Sequence, residues 1–82
     1  MIDVYYANAL VLTKHTKEAI PILQAALETQ PDDPYLHILL SRAQGENGND
    51  YEAFKERAEY HYLRGHYSFA IEQYKRAFRL TK

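Results

Sequence analysis

The chain has 82 residues, ten Lys and Arg against eleven Asp and Glu, a formal net charge of −1 and no cysteine. A single domain of that length buries only about 60–65% of its unfolded surface, which makes a deep catalytic cavity hard to build, and without cysteine neither a disulfide framework nor a thiolate zinc site is available. No apolar run reaches the ~18–20 residues a bilayer span needs, and MIDVYYANAL at the N-terminus lacks the basic start of a secretory leader.

Five helices are predicted. The first covers roughly residues 2–14, where Ile2, Tyr5, Tyr6, Ala9, Leu10 and Thr13 recur at the helical period. The second covers about 16–30, with Thr16 as a suitable N-cap. Pro21, about a turn in, has no N–H for the Lys17 carbonyl and is expected to bend that first turn. The third opens at PDDPY: Asp33 caps it, Pro34 takes a first helical position, and Leu36, Leu39, Leu40 and Ala43 form its apolar stripe.

GENGND at 45–50 is the clearest break, and its aspartate suits the cap of the fourth helix. That helix covers about 51–64, with Tyr51, Phe54, Ala58, His61 and Tyr62 on one side, and Gly65 ends it as a left-handed C-cap. The fifth covers about 67–81 and carries Tyr67, Ala70, Ile71, Tyr74, Ala77 and Phe78. Connections of two to five residues force antiparallel neighbours. No segment alternates with period two for long enough to make a sheet, so the expected class is all-α.

One pattern returns. AIPILQAAL at 19–27 aligns with AIEQYKRAF at 70–78, an offset of 51 residues, and the helix-breaking positions Lys14, Gly48 and Gly65 are 34 and then 17 apart. Thirty-four residues in two helices is the period of the tetratricopeptide repeat, and 51 is one and a half such units. The chain resembles that family over its whole length. Ala19, Leu23, Ala26 and Pro31 match the second helix of the unit, while Ala7 and Ser41 match the small residue of its first helix. Gly48 and Gly65 take the turn, and Tyr67 matches the aromatic just after it. Lys14 replaces the first turn glycine, and Arg57 and Tyr60 replace an apolar and an alanine position of the second unit. The fourth helix thereby serves as the back half of one repeat and the front half of the next. The resemblance implies a single α-solenoid fragment over 1–82, about two and a half units, forming a short right-handed superhelix.

A closer likeness joins AIPILQAALETQPDDPY and ERAEYHYLRGHYSFAIEQYKRAFRLTK to the C-terminal repeats of bacterial zinc metallopeptidases of the beta-barrel assembly-enhancing type. In that family a membrane-associated HExxH peptidase domain precedes a repeat array that contacts outer-membrane assembly machinery. The resemblance implies a recognition appendage, a larger parent protein and a periplasmic environment. Met1 standing directly before a mid-helix-like run suits such a parent.

Candidate chemistry is sparse. His61 and His66 are five apart across Gly65, whereas zinc on a helix wants histidines at i and i+4 with a third ligand on the same face. His15 falls in a turn and His37 far off on the third helix, so no metal and no cofactor is expected. There is no HExxH. Ser41 and Ser68 lack a strand–turn–helix context for a nucleophile. Asp32 with Asp33, and Glu56 with Glu59, fit capping and helix-face pairing better than acid–base work. No catalytic residue is assigned.

A binding role has more support, because the first helix of each stacked pair lines the concave side of such arrays. On the first helix the groove positions are Asn8, Val11 and Leu12 beside Val4; on the third, Tyr35, Ile38 and Arg42; on the fourth, Lys55, Glu59 and Tyr62. Asn8 suits a peptide-backbone clamp, Arg42 a carboxylate, and the tyrosines amphipathic contact. Packing between neighbouring helices is the competing reading for Tyr35, Ile38 and Tyr62.

The leading expectation is a protein or peptide partner in that groove, with no nucleic acid and no membrane insertion. The alternative is self-association, as a homodimer or by helix exchange, through Ile2, Val4 and Tyr5 at one end and Phe69, Phe78 and Leu80 at the other. Residues 1–50 carry three bases against seven acids (−4), and residues 51–82 seven against four (+3), an asymmetry that ordinary solvated helix faces explain more readily than partner steering or head-to-tail contact. RNA binding by the basic C-terminal half is the weakest reading, since Glu52, Glu56, Glu59 and Glu72 interrupt that surface.

Overall fold

The computed structural model describes residues 4–81. Five helices follow one another: α1 Val4–Leu12, α2 Thr16–Thr29, α3 Pro34–Glu46, α4 Asp50–Leu63 and α5 Tyr67–Arg79. No strand occurs among the described residues, and the fold is the all-α repeat arrangement expected. Ile2, expected in the first helix and at the apolar N-terminal end, lies outside the described residues.

Three of the four connections are one turn used three times. Lys14, Gly48 and Gly65 take φ of 67°, 81° and 79°. In each turn the left-handed residue and its successor donate backwards. Lys14 N–H reaches the Val11 carbonyl and His15 N–H that of Leu10; Gly48 reaches Gly45 and Asn49 reaches Gln44; Gly65 reaches Tyr62 and His66 reaches His61. This nested pair of bonds is the Schellman motif, which satisfies carbonyls that a helix end leaves open. Lys14 does with a side chain what glycine does elsewhere, at a cost of about 1–2 kcal/mol for the left-handed backbone.

The same turn moves the helix starts by one residue from where capping chemistry put them. His15, Asn49 and His66 have their N–H groups committed to the helix behind. Their carbonyls accept from Ala19, Ala53 and Ala70 to open the helix ahead. Thr16 and Asp50 therefore fall inside α2 and α4, and the N-caps are His15 and Asn49, neither using its side chain on the backbone. Gly45 and Glu46 stay helical, which narrows the GENGND break to residues 47–49. Only the α2–α3 connection is built differently: the Asp33 carboxylate accepts from Tyr35 N–H at 2.9 Å, and Pro34 opens α3.

Packing follows the alanines. Ala7, Ser41 and Ala58, spaced 34 and 17 apart, are buried where helices approach closely, and so are Ala19, Ala26, Ala70 and Ala77. Ser41 also donates to the Ala53 carbonyl at 2.8 Å across α3 and α4. The main apolar cluster comes entirely from α1, α2 and α3: Ala7, Leu10, Val11, Ala19, Leu23, Ala26, Leu36, Leu39, Leu40 and Ala43. Within that trio every helix touches the other two, whereas α4 touches α3 and α5, and α5 touches α4 alone. Each fully buried Leu or Val contributes about 1.5–3 kcal/mol, so the apolar stabilisation is concentrated in the first three helices.

Candidate functional site

The α3–α4 hairpin repeats α1–α2 with an offset of 34 residues, but the helix that follows it, α5, touches α4 alone, whereas α3 touches both α1 and α2. Ala7, Val11, Thr16, Ala19 and Leu23 of the first hairpin are all buried. Their counterparts Ser41, Gly45, Asp50, Ala53 and Arg57, together with Arg42 and Phe54, line an open cavity of about 290 Å³. Gly45 supplies the hollow where Val11 fills the first hairpin. A Cβ placed there would sit 3.6 Å from that of Ala53, an ordinary contact, so the glycine makes space without being forced by it.

The cavity is cationic with one apolar wall. Among the described residues neither Arg42 nor Arg57 forms an ion pair, while Lys14 pairs with Glu46 at 3.1 Å and Lys55 with Glu52 at 3.5 Å. Phe54 lies under the Arg76 guanidinium, 6.0 Å from ring centroid to carbon, which adds a third positive group at the rim. Asp50 is the single acid in the lining. Two unpaired guanidiniums, an apolar ring and one carboxylate suit an acidic side chain or a chain-terminal carboxylate flanked by apolar atoms.

Behind the cavity the two helices are fastened by a buried network. His37 Nδ1 is 2.6 Å from Glu56 Oε1, and its Nε2 is 2.7 Å from the Pro31 carbonyl. A carbonyl and a carboxylate are both acceptors, so the doubly protonated ring is the form that donates to each of them. Burial works against that charge, but the Glu56 hydrogen bond, the Pro31 carbonyl and the negative charges of Glu56 and Glu59 outweigh it and raise the pKa above its ordinary value. His61 is the opposite case. Burial, then neighbouring His66, Arg57 and Arg64, lowers its pKa. Tyr74 is raised, by burial first and then by the Glu59 carboxylate.

The structure distributes the expected groove residues unevenly. Val11 is 1% exposed and belongs to the core, because α3 closes over it; it does not face a partner. Val4 is half-buried against the same core. Asn8 and Ile38 are half-buried, and Leu12, Tyr35, Arg42 and Tyr62 are exposed. Lys55 and Glu59 are half-buried on α4, and the Tyr62 ring packs 5.4 Å from that of Tyr67. Of the ten, Arg42 alone lines the cavity.

Of the other cavity residues, the sequence marks Arg57 as a departure at an apolar position of the unit, Ser41 as the small packing residue, Gly45 and Asp50 as parts of the GENGND break, and Phe54 as part of the apolar side of the fourth helix. Nothing in the spacing pointed to His37, whose partner Glu56 lies 19 residues away on another helix. Among the described residues no group of three His, Asp or Glu side chains could hold a metal ion, and no helix is long and apolar enough to cross a membrane.

Comparison with known proteins covers about half of the chain. A family profile described as tetratricopeptide repeat matches residues 2–43, which is 42 of the 82 residues. The Vi polysaccharide export protein VexE of Salmonella typhi is 47% identical over 38 residues, covering 46% of this chain and 6% of that protein. The likeness thus spans a small fraction of that relative's length. No solved structure matches the chain.

Proposed function

The chain belongs to the tetratricopeptide repeat family, and from that premise we propose that it is a non-catalytic module holding a peptide or partner helix against the α3–α4 face and the adjoining groove. Repeats of this family generally mediate protein–protein interaction. The single observation that carries the finer reading is the pair of unpaired guanidiniums, Arg42 and Arg57, at a cavity whose counterpart in the first hairpin is buried. A partner segment lying there occupies the place that α3 occupies on α1–α2, with a carboxylate between the arginines and an apolar side chain on Phe54.

The module is the recognition appendage of a larger protein. The resemblance of its second helix and C-terminal stretch to the repeats of zinc metallopeptidases supports one kind of host. The 38-residue likeness to VexE supports another, concerned with polysaccharide export.

The test is fluorescence anisotropy with two labelled peptides of equal length, one acidic and carrying a Leu, one with the acids replaced by Gln. The acidic peptide should bind more tightly, and Arg42→Ala and Arg57→Ala should each weaken it about tenfold, the scale of one charged hydrogen bond. Equal binding of the two peptides, or indifference to both arginine changes, removes this face from consideration.

A further inference from the structure

The Arg42–Arg57 cavity is one end of a longer feature. Phe54, Arg57 and His61 of α4 and Arg64 at its C-cap follow one another at three- and four-residue intervals, and so share one side of the helix. Arg57 and Arg64 both act on the His61 ring between them, and His66 joins them from the α4–α5 turn, its ring 5.9 Å from that of His61. The Arg64 guanidinium is held over the Tyr60 ring at 5.6 Å and donates to the Tyr60 hydroxyl at 3.4 Å. Arg57, Arg64 and His66 are exposed, and among the described residues none of them forms an ion pair.

The acids of α4 leave this side clear. Counted along the chain, Glu52, Glu56 and Glu59 break up the basic stretch, but each is directed elsewhere by the fold. Glu56 is buried against His37, Glu52 pairs with Lys55, and Glu59 acts on Tyr74. The exception is Asp50, which stands at the cavity end of the line. From the cavity to the α4–α5 turn the strip is therefore cationic. Its rings already carry partners of the protein's own: Arg76 over Phe54, Arg64 over Tyr60, and His66 and Phe69 beside His61. That favours carboxylates over stacked nucleic-acid bases, which need free ring faces.

The spacing selects the shape of the ligand. Seven residues of helix separate Arg57 from Arg64, about 10.5 Å along the axis. A polyproline-type segment repeats its side-chain direction every three residues, about 9.3 Å. Resting on the cavity reading above, we propose that the partner is an extended, polyproline-like segment with two acidic residues three apart, the first carboxylate between Arg42 and Arg57 and the second at Arg64 beside His66. The cavity fixes one end of the segment, and Arg64 reads its register.

The experiment is fluorescence anisotropy with labelled proline-rich probes of equal length: one acid, two acids three residues apart, and the same two acids adjacent. Oligothymidylate is the fourth probe. The spaced pair should bind about three- to fivefold more tightly than the single acid, the scale of an exposed ion pair, and the adjacent pair should gain less despite its equal charge. Arg64→Gln should remove the gain and leave the single-acid peptide unchanged, with circular dichroism checking that the exposed substitution keeps the helices. Equal binding of spaced and adjacent pairs, or a gain that survives Arg64→Gln, overturns the proposal. So does oligothymidylate binding more tightly than every peptide. If the single-acid peptide still depends on Arg42 in those cases, the cavity reading stands without this extension; if no peptide binds, both fall.

Discussion

The first three helices and the last two follow the same repeat pattern, yet they are held by different means. In α1–α3 each helix touches the other two, and aliphatic side chains from all three meet in one cluster. In α4–α5 the buried apolar residues are Ala58, Ala70 and Ala77, and larger side chains gather at the edges as aromatic pairs. The His61 ring lies 5.4 Å from Phe69 and 5.1 Å from Tyr60, and Tyr74 stacks on Phe78 at 6.1 Å. Pattern alone does not make a core helix. The apolar stripe of α5 is as regular as that of α2, but a second neighbour is what turns a stripe into an interior.

The contrast is broken most directly by matched truncations. Leu23→Ala should cost about 3 kcal/mol, since it empties a fully buried site in the trio. Tyr74→Ala, its 51-residue counterpart on α5, should cost about 1 kcal/mol, because that ring is only partly buried. Urea denaturation midpoints measure both, and equal losses would show that the hairpin is as well buttressed as the trio.

Next in size is His37→Gln, expected to cost about 2 kcal/mol at pH 6, where the protonated ring serves the buried Glu56 carboxylate and the Pro31 carbonyl. The folded state holds this proton more tightly than the unfolded chain does. Its stabilisation is therefore fully present below the ordinary histidine value of 6.5 and is lost as pH rises through the higher folded pKa. His61 has the reverse sign: its lowered pKa favours the neutral ring, so its contribution is present above 6.5 and fades as pH falls through the lower folded value. Denaturation at a series of pH values should show stability declining on the alkaline side in the wild type and flattening there in His37→Gln. A decline that survives the substitution assigns it to another group.

Gly65→Ala should cost about 1 kcal/mol, because φ of 79° penalises a Cβ. The loss should be seen first as faster amide exchange in α5, which that turn and α4 alone secure. The smallest effect sharpens the comparison from the other side. Lys14→Gly relieves the same strain in the first turn but gives up the exposed ion pair with Glu46, for a net gain of about 0.5 kcal/mol in thermal or urea midpoints.

Much of the architecture was legible because it rests on local requirements. A left-handed turn wants glycine, or tolerates Lys14, and closely packed helices want alanine or serine; both leave marks at fixed spacing. What escaped depends on neighbours. Val11 reads as a groove residue from its own helix and becomes core only when α3 closes over it. The Arg42–Arg57 cavity exists because a helix is absent from one flank, which no residue in the lining announces. His37 and Glu56 join two helices by a pairing that helical periodicity does not encode. Even the N-caps moved, from Thr16 and Asp50 to His15 and Asn49, because the Schellman bonds of the preceding turn claimed those positions first.

Those recurring turns make a lone helix, not a pair, the part that can be inserted or deleted. Each addition reverses the direction of travel without requiring a new kind of corner. Parity then decides where the polypeptide emerges: an even number of helices returns it to the rim it came from, and an odd number carries it across. With five, the start of α1 and the end of α5 lie at opposite rims of the stack.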